Sequence, residues 1–100
     1  MKCTSLEEVR ANIDRIDDSI IKLIAERAEY VRQAAAFKKD ESGVKAPNRV
    51  KAVLERVDEK ARKYGAPADI AVTVYKNMIE GFISLEMDKF SSGDASHELP

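Results

Sequence analysis

Apolar residues along the first third of the chain recur at steps of three and four. Val9, Ile13, Ile16, Ile20, Leu23, Ile24, Val31 and Ala34 fall on one stripe, which is the signature of an amphipathic helix. Ser5-Leu6-Glu7-Glu8 opens it with a capping box, in which the serine oxygen accepts a backbone N–H and Glu8 reaches back. No proline or glycine interrupts until Gly43, so the pattern predicts one helix from about residue 6 to about residue 39. Such a helix is on the order of 50 Å long. A globule of this size is only roughly 30–35 Å wide. A lone chain would leave part of the stripe bare, and a second chain is the simplest cover.

Residues 39–47 read as a loop, with Gly43 free to take unusual backbone angles and Pro47 suited to the first turn of the next helix. Helix two is expected from Pro47 to Tyr64, with Val50, Val53, Leu54, Val57 and Ala61 on one face and Gly65 as its stop. Pro67 then starts helix three, which runs to about Phe90. Its apolar face is broad: Ile70, Val74, Tyr75, Met78, Phe82 and Leu85, widened by Ile79 and Ile83. Residues 91–100 are small and polar, a frayed tail. The expectation is an all-α chain of three helices, one domain over 1–100 with its core at about 5–90.

Composition and charge narrow the function. The chain has 17 basic and 18 acidic residues and a formal net charge of -1. No basic excess and no run of like charges marks a nucleic-acid binder. No apolar run reaches the ~18 residues of a membrane span, and Met-Lys-Cys-Thr-Ser leads straight into the amphipathic pattern, unlike a signal peptide. With Cys3 the only cysteine, a reduced thiol in a cytoplasmic protein is the expectation. His97 is the only histidine and lies in the tail, which leaves no Ser-His-Asp set. There is no metal-ligand cluster and no glycine-rich phosphate loop, so no metal or other cofactor is expected.

What stands out is charge on apolar faces. On a helical wheel Arg27 and Lys38 fall near the centre of the first stripe, whereas Arg15 and Arg32 lie well away from it. A buried charge is costly unless paired. Two inward cations about three turns apart therefore suggest a shared anionic partner, with a structural ion pair, or a lysine snorkelling out at the helix end, as the equally weighted alternative. Arg10 sits at the stripe's edge, about 25 Å along the axis from Arg27. One small ligand could touch both only if an antiparallel copy of helix one brought its Arg10 alongside. Taken alone, Arg10 is more often an exposed arginine. Glu86 shares a face with Phe82, Ile79 and Ile83. Burial there would favour its neutral form, a hydrogen-bond donor, though an ion pair across the core fits equally well. Arg49 reads as surface on pattern alone. A pocket of this kind can catalyse by orientation and electrostatics.

These residues resemble a known family. Val9-Arg10, Ile13-Asp14-Arg15-Ile16-Asp17, Leu23-Ile24-Ala25-Glu26-Arg27, Val31 and Lys38 are similar to the first helix of the all-helical (type II) chorismate mutases. Ala46-Pro47-Asn48-Arg49-Val50, Gly65, and Tyr75 through Glu86 continue the likeness, which covers about residues 5–90. The resemblance implies an intertwined homodimer of three-helix chains acting on a dicarboxylate, chorismate or its isomer isochorismate. It implies Arg27 and the neighbour's Arg10 on the two carboxylates, Lys38 and Glu86 toward the ether oxygen, and Arg49, Val50 and Phe82 along the substrate. Loop 39–47 would close over it. Where mutases carry acids for the ring hydroxyl, this chain has Ala46 and Val50. In that respect it resembles the isochorismate pyruvate lyases on the same fold. A mutase is the first expectation, a lyase the second, and a non-catalytic helical dimer the third.

Overall fold

The computed structural model describes residues 2–37, 43 and 45–92. Three long helices order the described chain: α1 (Leu6–Ala35), α2 (Pro47–Tyr64) and α3 (Ala68–Ser92). Among the described residues there is no strand. The chain divides after Ala34 into two units, α1 on one side and the α2/α3 hairpin on the other.

α1 starts where the capping box places it. The Glu8 N–H donates to the Ser5 hydroxyl oxygen at 3.1 Å, and the Val9 N–H makes the first helical bond to the Ser5 carbonyl. The reciprocal arm lands one residue earlier than a capping box requires. Glu8 accepts from the Thr4 N–H at 2.9 Å and from the Thr4 hydroxyl at 2.8 Å. The Thr4 backbone bond, and then the hydroxyl bond, hold the Glu8 carboxyl below its ordinary range. The helix ends at Ala35 and passes into a turn at 36–37. It is thus shorter than the expected 6–39, and residues 38–39 lie outside the described ones. Thirty residues at 1.5 Å each still give about 45 Å. No residue of α1 is buried. Ile13, Ile16, Ile20 and Leu23 are 50%, 47%, 46% and 62% exposed. The bare stripe anticipated for a lone chain is what the structure has.

α2 occupies the span its punctuation dictates. Pro47 is in its first turn, where a missing N–H costs nothing. Gly65 ends it in the left-handed region at φ 74°, ψ 22°. There the Gly65 N–H donates to the Arg62 carbonyl at 3.4 Å and the Ala66 N–H to the Ala61 carbonyl at 2.8 Å, a Schellman closure that satisfies two end carbonyls. Pro67 supplies the carbonyl that the Ala71 N–H bonds at 3.0 Å to begin α3. The connection is short, and α2 and α3 pack on each other. Ala61 and Ile79 are buried, with Val50, Val53, Leu54, Val57, Val72 and Ile83 half-buried. The covered face of α3 is thus centred on Ile79. Ile70, Val74 and Leu85, also expected on the apolar face, stay exposed.

The expected loop 39–47 differs where it is described. Gly43 and Lys45 are helical, and the left-handed residue is Ala46, at φ 35°, ψ 60°. A Cβ makes that region unfavourable by roughly 1–2 kcal/mol, and a residue before proline ordinarily prefers extended backbone. Ala46 carries no side-chain cap. Its carbonyl nevertheless accepts the Val50 N–H at 3.0 Å, which starts α2.

Candidate active site

The charged groups singled out on apolar faces divide between the two units. On α1, Arg27 is half-buried and Arg10 exposed. Arg15, expected away from the stripe, is exposed as well. Arg32, also expected away from it, is half-buried and pairs with Glu29 at 3.0 Å. Lys38 lies outside the described residues.

In the hairpin, Glu86 is the one charged side chain among the described residues that is buried, at 8% exposure. The wheel explains this: Glu86 follows Ile79 by seven residues, two turns along the same face. Phe82, one turn before Glu86, is half-buried. Arg49 is exposed, as its pattern suggests, and Val50 is half-buried.

An open groove of about 870 Å³ runs along the hairpin. Val50, Leu54, Val72 and Ile83 give it an apolar floor, and Lys45, Lys51, Glu55, Asp58 and Glu59 give it charged walls. The charges are sorted along it. Lys45 and Lys51 flank the start of α2, while the acids follow one to three turns later. No acid occupies the first turn of α2, so its unpaired N–H groups add to the positive end. Val50 therefore sits at the end that attracts anions. Leu54 and Ile83 were read from sequence as core alone, although their spacing from Val50 and Phe82 would have found them. Nothing in the pattern singled out Lys45.

Among the described residues no group of histidine, cysteine or acidic side chains is placed to hold a metal ion, and no helix is long and apolar enough to cross a membrane. Cys3 is a free, exposed thiol.

Residues 9–87 match the family Chorismate mutase type II. An isochorismate pyruvate lyase of Pseudomonas aeruginosa is 34% identical over 82 residues, covering 82% of this chain and 81% of that protein. A chorismate mutase of Methanocaldococcus jannaschii is 31% identical over 77 residues, covering 75% of this chain and 77% of the other. A bifunctional chorismate mutase/prephenate dehydratase of Aquifex aeolicus is 32% identical over 85 residues, which span 81% of this chain but only 24% of that longer protein.

Proposed function

Since this chain belongs to the type II chorismate mutase family, we propose that it is a chorismate mutase, rearranging chorismate to prephenate in a homodimer whose sites are shared between subunits. The carrying observation is the family match over residues 9–87, which contains every candidate site residue from Arg10 to Glu86. The half-burial of Arg27 and the burial of Glu86 support it, because charge is kept off water only where a partner compensates.

The reaction is pericyclic: one C–O bond breaks as one C–C bond forms, with no covalent intermediate. It asks for no nucleophile, only for the compact conformer to be held and for negative charge on the ether oxygen to be stabilised. In this reading Arg27 binds one carboxylate and the neighbouring subunit's Arg10 the other, fixing the substrate's ends. Lys38 and Glu86 donate to the ether oxygen, where charge develops. Loss of one such donor typically lowers the rate by ~10²–10³. Arg49 supports the anionic side, with Val50 and Phe82 against the ring. A glutamine amide can donate from the same place, so Glu86→Gln should keep turnover, whereas Glu86→Ala should lose it. No cofactor is involved, and the proposed setting is the cytoplasm.

A second reading has a specific observation behind it. The P. aeruginosa relative is a named isochorismate pyruvate lyase, and neither Ala46 nor Val50 offers a carboxylate to a ring hydroxyl. The deciding experiment follows chorismate loss and salicylate formation from isochorismate side by side, from pH 5 to 8. Efficient chorismate turnover with little salicylate establishes the mutase. The reverse establishes the lyase, and silence in both overturns the enzymatic reading.

A further inference from the structure

The groove along the hairpin has two electrically different ends. From Lys45 to Leu54 the chain carries three cations, Lys45, Arg49 and Lys51, and no acid. From Glu55 to Glu59 it carries three acids and one cation. Lys45 and Lys51 line one end of the groove and Glu55, Asp58 and Glu59 the other, over a floor that begins at Val50. The whole chain has a net charge of only -1, so no general excess of either sign produces this. The sorting is local to the groove.

The two lysines are not used in holding the fold. Both are exposed, and neither is in an ion pair among the described residues. Lys51 and Glu55 stand at the i, i+4 spacing of a helical pair. Their order puts the cation first, which gains less than the reverse, and the two charges stay separate. Asp58, by contrast, is engaged by Arg62 at 3.1 Å. Glu59 follows Lys51 by eight residues, about 12 Å along α2. That exceeds the ~8 Å over which physiological salt screens a charge. An anion at the lysine end therefore responds to the lysines, with the far acid largely screened.

We propose that Lys45 and Lys51 steer the substrate: they concentrate a dicarboxylate dianion at the Val50 end of the groove, while Glu55 and Glu59 turn it away from the other end. This rests on the dicarboxylate reading above and adds to it two residues that act at a distance. Lysine suits the task, because its compact, strongly hydrated ammonium attracts without the two-pronged grip of a guanidinium. Attraction of this range acts alike on bound substrate and transition state. It lowers KM and leaves kcat alone, which separates these lysines from groups that donate to the ether oxygen.

The test is the double variant Lys45→Glu, Lys51→Glu, assayed with whichever of chorismate and isochorismate the wild type turns over. Ionic strength is set at ~0.01 M and ~1 M, where charges reach about 30 Å and about 3 Å. At low salt KM should rise about tenfold or more with kcat held, and at high salt the difference should close to within about twofold. Lys45→Arg with Lys51→Arg, which keeps the charge, should retain the wild-type KM at both salts. A KM unmoved by the reversal at low salt overturns the proposal. An equal rise at both salts also overturns it, since that means direct contact or lost structure. A fall in kcat with KM held does the same, because the lysines would then act at the reacting atoms. An active wild type with an indifferent double variant sinks this proposal alone. A wild type silent on both substrates defeats the enzymatic reading, and the steering falls with it. Native-like circular dichroism of the variants shows that the fold is intact.

Discussion

The two units of this chain treat apolar surface in opposite ways. The α2/α3 hairpin satisfies itself: Gly65 and Pro67 turn the chain sharply, and Ile79, Ala61 and the Glu86 side chain end up away from water. α1, longer and as regularly patterned, buries none of its residues. Its apolar stripe stays at the surface, with Ile13, Ile16, Ile20 and Leu23 all exposed. The difference lies in what ends each helix. Where a stop and a start share a connection of three residues, neighbouring helices fold back on each other. A 30-residue helix without such a break runs on past anything its own unit can cover.

The contrast can be tested by making one substitution in both units. Ile79→Ala should destabilise the protein by about 2–5 kcal/mol through a lost contact and a residual cavity, to the same extent at every protein concentration. Ile20→Ala should act through association instead, so its loss of thermal midpoint should shrink as concentration rises. Calorimetry at two concentrations tenfold apart separates them, and a concentration-independent Ile20→Ala would erase the distinction. A smaller effect of opposite sign is expected at Gly81. It is an interior helical glycine whose added Cβ would meet nothing within 4 Å. Gly81→Ala should therefore stabilise the protein by about 0.5–1 kcal/mol in chemical denaturation. A loss of stability there would show that this side of α3 is covered in the assembled protein.

The smallest effect belongs to the start of α1. Because Thr4 lowers the Glu8 pKa, the contribution of this cap is fully present above the ordinary carboxylate range. It is lost as pH falls through the lowered value. Glu8→Gln should remove that part of the acid dependence by losing the same small contribution at neutral pH. An unchanged acid limb in the variant would show that the Thr4 bonds contribute nothing in solution.

Much of this was legible residue by residue. The ends of α2 follow from stereochemistry that has few alternatives: a ring-locked φ at Pro47 and a left-handed position at Gly65. The end of α1 was harder, because Ala34-Ala35-Ala36-Phe37 contains no stop signal, and the expected helix overran it. Glu8 had donors to choose from within one turn, and spacing does not rank Thr4 against Ser5. The covered face of α3 was misplaced toward Ile70 and Val74 because its apolar residues nearly encircle it, leaving the wheel without a sharp centre. Ala46 was unreadable for a different reason. Local preference before proline points to extended backbone, and the observed left-handed angle goes against it. Of the candidate site, the burial of Glu86 and the half-burial of Arg27 and Phe82 could be read from the wheel. Lys45 could not, because its place at the groove depends on how the chain enters α2.

The three-residue connection at Gly65-Ala66-Pro67 also sets a clock. Contacts between α2 and α3 close a short loop, and local contacts of this kind form in microseconds to milliseconds. If α1 is held by a second copy, its order arrives only on collision, at a rate proportional to concentration. Refolding from denaturant would then show a fast phase indifferent to dilution, followed by a slower one that dilution stretches. Newly made chains would spend that interval with the hairpin formed and the stripe of α1 still seeking its match.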